Sequence, residues 1–242
     1  MAVVRSLLFM LILILVTPPY TLGVILCRPL PHRMRRQSVV PWVNFVIWLV
    51  KHLLGIPYRL LGAENIPARA CVVLAKHQSA WETLMLQEVF KDTAFVWRKE
   101  IKYLPFFGWA LASIPMIETD RNPTKSSLKR LVDQGRDRLD NGYTVIIFPE
   151  GTRSQPGSKN RYKVGGAHLA VETGTPVVPL ALNSGEFWGR NALFKRSGTV
   201  TVSIGPVIDP AGLTASEVTR RAEQWIEAEM SRISPQLYGV IP

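Results

Sequence analysis

Val72-Val73-Leu74-Ala75-Lys76-His77-Gln78-Ser79-Ala80-Trp81-Glu82 decides how this chain is read. A short apolar run suited to one strand gives way to a polar turn, and Ser79-x-x-Glu82 then carries the capping-box signature of a helix start. A strand feeding a helix presents the residues between them at the carboxyl edge of a sheet, where α/β proteins bind ligands. His77 falls there, five positions ahead of Glu82. In such a box Ser79 caps the helix while Glu82 reaches back to a backbone amide. A carboxylate has two oxygens, so one can hold the helix start while the other accepts the proton of a His77 ring nitrogen. The segment alone leaves two readings open: a hydrogen-bonded structural histidine, or a proton acceptor oriented by an acid.

The same alternation runs outward from this stretch. After Gly55-Ile56-Pro57, strands are expected at Tyr58–Leu61, Cys71–Leu74, Ala94–Val96, Pro115–Ile117, Thr144–Phe148, Val177–Leu182 and Thr199–Ile204. Helices are expected at Ala80–Phe90, Thr124–Asn141, Gly165–Glu172 and Ser216–Ser231. Leu128, Leu131, Val132 and Leu139 share one helical face, and Asn141-Gly142 supplies a stop. The expected fold class is α/β, a mixed sheet flanked by helices, preceded by a membrane-embedded two-helix segment at the N-terminus. The chain divides into residues 1–56, an anchor with an interfacial helix, and residues 57–242, a catalytic domain.

From Ser6 to Cys27 there is no charged residue, about the ~20 residues a spanning helix needs. Pro18-Pro19 is expected to interrupt that run. No Ala-x-Ala-like site follows it, so a retained anchor is favoured over a cleaved signal. Arg28, Arg33, Arg35 and Arg36 come after the run and Arg5 alone before it. This bias puts the following domain in the cytoplasm, and the basic run suits anionic headgroups. In Val39–Leu54, Asn44, Trp48 and Lys51 fall near one line at 100° per residue, leaving a broad apolar arc. That pattern fits a helix lying in the membrane interface, or one docked on a core.

The 242 residues carry a formal charge of +11, which is compatible with nucleic acid, anionic lipid or an acidic protein partner. No zinc-ligand spacing or RNA-binding aromatic signature is present, so nucleic acid is not expected as a partner. Cys27 and Cys71 make no disulfide framework and give little scope for a metal site; both read as packing residues.

Two further stretches carry chemistry. Glu118-Thr119-Asp120-Arg121-Asn122-Pro123 closes a strand, with Arg121 offering a fork that matches phosphate. Asp120 or Asn122 could instead cap the next helix. Phe148-Pro149-Glu150-Gly151-Thr152-Arg153-Ser154 follows another strand. Gly151 permits close backbone approach, Thr152 offers a hydroxyl and Arg153 a bidentate cation. Glu150 would repel phosphate, so it is assigned to holding Arg121 or Arg153, or to accepting from a substrate hydroxyl.

Lys-His-Gln-Ser-Ala-Trp-Glu (76–82), Glu-Thr-Asp-Arg (118–121), Phe-Pro-Glu-Gly-Thr-Arg-Ser (148–154) and Val177-Val178-Pro179-Leu180 resemble, in order, the four motifs of the glycerolipid acyltransferases. The resemblance covers roughly Tyr58 to Gly205 and is nearest to bacterial 1-acyl-glycerol-3-phosphate acyltransferases. Glu82 stands where the commonest family form has Asp, and Glu118-Thr119 replace apolar positions of the second motif. Lys163-Val164-Gly165-Gly166 resembles a Lys-x-Gly-Gly element that follows the third motif, which makes Lys163 a candidate contact.

The resemblance implies that His77, oriented by Glu82, deprotonates the hydroxyl of a lysophospholipid, which attacks an acyl thioester directly. Arg121 and Arg153 would clamp the acceptor's phosphate, with Gly151, Thr152 and Lys163 as further candidate substrate contacts and Glu150 holding an arginine or meeting the substrate's hydroxyl. The implied partners are membrane lipids, lysophosphatidic acid, and acyl-CoA or acyl-carrier protein as donor. No metal or redox cofactor enters this chemistry. Arg98-Lys99 with Lys102, and Lys195-Arg196, are candidate contacts for the donor's phosphates or an acidic carrier. Thr175–Pro179 reads as an apolar wall beside the acyl chain or as a plain buried strand. The rival functions are a lipid ester or thioester hydrolase and a non-catalytic phospholipid-binding protein.

Overall fold

Side chains alternate along the strands and so sort the protein into layers. The computed structural model describes residues 1–120 and 124–239. Among the described residues, seven strands form one sheet in the order β1-β7-β6-β2-β5-β3-β4. They are β1 Tyr58–Leu61, β2 Val72–Ala75, β3 Thr93–Arg98, β4 Ile117–Thr119, β5 Thr144–Ile147, β6 Val177–Leu182 and β7 Val200–Ile204. All neighbours are parallel except β6 and β7, so the sheet is mixed as expected.

Helices cover both faces. They are α1 Ala2–Leu26, α2 His32–Gln37, α3 Val40–His52, α4 Trp81–Val89, α5 Phe107–Leu111, α6 Lys125–Asp140, α7 Gly165–Thr173, α8 Ala215–Ile233 and α9 Pro235–Tyr238. Val73 and Ala75 of β2 point to a core shared with Phe9 and Val24 of α1, Leu49 and Val50 of α3, and Met85 and Leu86 of α4. Val72 and Leu74 point the other way, to Leu131 of α6, Leu169 of α7 and Val218 of α8. The central strands β2, β5 and β6 are buried on both sides, which explains why they read as unbroken apolar runs.

The seven strands and four expected helices are all present, most within two residues of their expected ends. The shortest strand differs: Pro115–Ile117 was expected, and β4 is Ile117–Thr119. Proline has no N–H for a ladder, and pairing with β3 starts only at Val96↔Ile117. The cap of α6 is Thr124 in a reciprocal box with Ser127, not Asp120 or Asn122; Asp120 is instead held by Lys99 and Arg130.

The N-terminus departs most from expectation. Pro18 and Pro19 do not interrupt α1, which runs unbroken for 25 residues and is long and apolar enough to cross a membrane by length and composition. The two prolines remove the N–H groups that would bond to the carbonyls of Ile14 and Leu15. Docking on either side of them offsets that loss. On one side the Ser6 hydroxyl accepts from Lys195 N at 2.9 Å and Phe9 meets Trp188 edge-on; on the other, Thr21 and Val24 are buried. In α3, Val43, Val46, Leu49 and Val50 dock inward while Asn44, Trp48, Lys51 and His52 face out. Of the basic run, Arg28 and Arg33 are exposed, but Arg36 is buried and donates to the Thr93 hydroxyl, and Arg35 donates to Ser113 O. Burial drives the Cys71 thiol up to about 11, leaving it an inert packing group.

Because α3 shares the central core, Leu49→Ala should cost about 2–5 kcal/mol of stability, measured as a lowered denaturation midpoint of the detergent-solubilised protein. An unchanged midpoint would mean α3 is not part of the fold's core.

Candidate active site

The turn after β2 is organised by one carboxylate. Glu82 is fully buried, and its Oε1 accepts from His77 Nδ1 at 2.8 Å, Gln78 N at 2.7 Å and Ser79 N at 2.7 Å. Its Oε2 accepts from the Ser184 hydroxyl at 2.8 Å. The expected division of labour, one oxygen for the helix and one for the ring, is therefore corrected: Oε1 serves both, and Oε2 is held by a residue 102 positions away. Ser79 does reach into the helix start, but its hydroxyl accepts from Trp81 N and Ala80 is the cap residue.

This arrangement fixes the histidine's chemistry. A carboxylate can only accept, so Nδ1 must carry the hydrogen that points at Glu82, leaving the Nε2 lone pair free. The ring stacks on Phe148 at 3.9 Å between centroids. The His77 backbone is fixed as well: its carbonyl accepts from Ser154 N at 2.7 Å and the Ser154 hydroxyl at 2.9 Å.

Glu150 completes that frame. It was expected to hold Arg121 or Arg153 or to meet a substrate; instead its Oε1 accepts from His77 N at 3.0 Å and its Oε2 lies 3.4 Å from Lys76 Nζ. Lys76, wholly buried, also meets Glu227 of α8 at 2.7 Å, where the Tyr162 hydroxyl donates too. Glu150 thus sits beneath the turn, away from the cavity described next. Burial pushes its carboxyl up, opposed by the Lys76 charge and the His77 N–H.

A cavity of about 1000 Å³ lies against His77. Arg98, Lys125, Arg153, Lys163 and Arg190 line it: Arg98 ends β3, Arg153 and Arg190 follow β5 and β6, Lys125 starts α6 and Lys163 just precedes α7. Leu13 and Val24 of α1, Trp42 and Val46 of α3, Leu111 of α5 and Met116 supply an apolar wall. Gly151 and Thr152 also line the cavity. Gly151 has φ +67°, a conformation that favours glycine, and a Cβ there would lie 2.9 Å from Lys163 Nζ, so a larger residue would push that ammonium aside. Arg98 donates to Gly151 O at 2.9 Å and Arg190 to Arg153 O at 3.2 Å.

The structure therefore brings His77, Glu82, Gly151, Thr152, Arg153 and Lys163 together, and turns Glu150 away. Arg121 lies outside the described residues. Thr175–Pro179 does not line the cavity; it leads into β6, a plain buried strand. Four participants escaped sequence reasoning: Ser184, Arg190, Glu227 and Lys125, the first residue of α6. Ser184 and Arg190 follow β6, and the strand-edge rule that selected His77 could have flagged them. Glu227 had no local signal, since its partner Lys76 is 151 positions distant.

Such a pair, its histidine lining a part-cationic, part-apolar cavity, suits acyl transfer to a lipid hydroxyl, and comparison with known proteins agrees. The chain belongs to the acyltransferase family, whose model matches residues 58–183. It is 43% identical over 219 residues to a 1-acyl-sn-glycerol-3-phosphate acyltransferase of Pseudomonas aeruginosa, covering 89% of this chain and 85% of that protein. It is 29% identical over 195 residues to the human 1-acyl-sn-glycerol-3-phosphate acyltransferase alpha, covering 79% of this chain and 69% of that one. The fold matches the crystal structure of the 1-acyl-sn-glycerophosphate (LPA) acyltransferase PlsC from Thermotoga maritima. That match has a TM-score of 0.77 at 24% identity, covering 96% of this chain and 95% of the other.

Glu82→Gln keeps an oxygen for the three N–H donors while removing the charge. It should forfeit the ~1.5–3 kcal/mol of a charge-assisted bond, a roughly ten- to hundredfold fall in kcat, with KM little changed in steady-state assays.

Proposed function

We propose that this protein transfers an acyl group from an acyl thioester to the sn-2 hydroxyl of 1-acyl-glycerol-3-phosphate, giving phosphatidic acid. The observation that carries the reading is the oriented His77, its free nitrogen against a cavity that joins five cations to an apolar wall. The named relatives support the choice of acceptor.

In this reaction His77 Nε2 takes the acceptor's hydroxyl proton as the oxygen attacks the thioester carbonyl. The tetrahedral centre then collapses, the acyl–oxygen bond remains and the thiolate leaves, protonated in the end by the imidazolium. Glu82 stabilises that imidazolium without taking its proton. Arg153 and Lys163 neutralise the acceptor's phosphate and so place its hydroxyl beside the ring. The apolar wall takes acyl chain, and the donor is acyl-CoA or acyl-carrier protein. This assigns the protein to phospholipid synthesis at the cytoplasmic face of the inner membrane. The apolar, exposed side of α1, with Leu7, Leu8, Leu11, Ile14 and Leu15 outward, supports membrane residence.

Base catalysis contributes ~10²–10⁴-fold, so His77→Ala should lower turnover of lysophosphatidic acid with labelled acyl-CoA or acyl-carrier protein by that factor while the protein stays folded. Retained turnover would remove the base assignment. Free fatty acid formed without acceptor would point to a hydrolase. Arg153→Ala should raise KM for lysophosphatidic acid about tenfold or more, the 1.5–3 kcal/mol of a charged hydrogen bond, with a much smaller change in KM for the donor.

A further inference from the structure

A second cavity, of about 380 Å³, lies apart from the active site between the end of α1 and α5. Ile25 and Arg28 form one side; Lys102, Tyr103, Trp109 and Ala112 form the other. Around it the surface is apolar where a soluble protein would be polar. Leu22, Leu26, Tyr103, Leu104, Phe106 and Trp109 are all exposed, Tyr103 by 74% and Leu26 by 80%. Tyrosine and tryptophan collect at membrane interfaces because each joins an apolar ring to a polar tip. The Lys102 ammonium sits 5.5 Å over the Tyr103 ring, and Arg28 is exposed. None of the groove's six residues is acidic.

We propose that this groove binds the headgroup of one anionic bilayer phospholipid, with Arg28 and Lys102 holding its phosphate while Tyr103, Leu104 and Trp109 enter the interface. Charge complementarity selects the occupant: two cations in an apolar, aromatic rim fit a lipid phosphate and its glycerol region. The site deepens the membrane residence proposed above and rests on it. It gives the body a membrane contact beyond the residues of the N-terminal anchor. It also orients the cavity relative to the bilayer, because α5 contributes Leu111 to the cavity wall.

The test titrates the full-length protein in mild detergent with phosphatidylglycerol or phosphatidylcholine and counts retained lipid by native mass spectrometry. One phosphatidylglycerol should be retained in preference to phosphatidylcholine. Arg28→Gln and Lys102→Gln should each weaken it about fivefold, the effect of one cation near an anionic surface. Lys129→Gln with Arg136→Gln on α6, and Arg153→Ala in the active-site cavity, should leave it unchanged, and excess inorganic phosphate should not displace it. Equal retention of the two lipids, equal loss in the α6 variant, or loss in Arg153→Ala would overturn the proposal. Flotation on pure phosphatidylcholine vesicles separates the two readings. Both variants should still float, and the Arg28 variant should still turn over substrate in micelles, whereas failure of the unaltered protein to float would remove the membrane reading itself.

Discussion

Four donors converge on the Glu82 carboxylate: a ring N–H, two backbone amides and a hydroxyl. Taking a charge out of water is costly unless it is hydrogen-bonded, and here that requirement does constructive work. The turn can bury Glu82 only if Gln78 N, Ser79 N and Ser184 are all in place. The same closure that satisfies the acid therefore aims the imidazole. The histidine's tautomer and tilt follow from the helix start and from the loop after β6, and substrate is not needed to set either.

A second buried charge supports the first from below. Lys76 lies between Glu150 and Glu227, and Glu150 in turn receives the His77 amide. Removing one member of such a group leaves an uncompensated charge in the interior. This links α8, far along the chain, to the turn that carries the base. The third sequence motif has thereby two distinct tasks. Glu150 and Ser154 hold the backbone of His77, while Gly151, Thr152 and Arg153 face the cavity.

Much of this was legible in the residues, for physical reasons that differ by element. The central strands are buried on both faces, so their apolar runs could be read directly, and α6 announced itself by spacing and by its Asn141-Gly142 stop. The dyad was legible because its members lie within one turn of chain. Glu150 was misassigned because a carboxylate three residues from an arginine looks like its partner until Lys76 is seen beneath it. The proline pair misled because local propensity weighs two lost hydrogen bonds but cannot weigh the docking of Phe9 and Val24 on either side. The short helices α2, α5 and α9 have too few residues for a period to show.

α1 is held to the same body near both of its ends, through Ser6 and Phe9 at one and Thr21 and Val24 at the other. Eighteen residues at 1.5 Å each separate Ser6 from Val24, about 27 Å of helix lying against one scaffold. A segment moored in this way cannot tilt or slide independently to suit a thicker or thinner bilayer. Hydrophobic mismatch, the force that sorts freely spanning helices among membranes, must therefore act on the whole molecule at once.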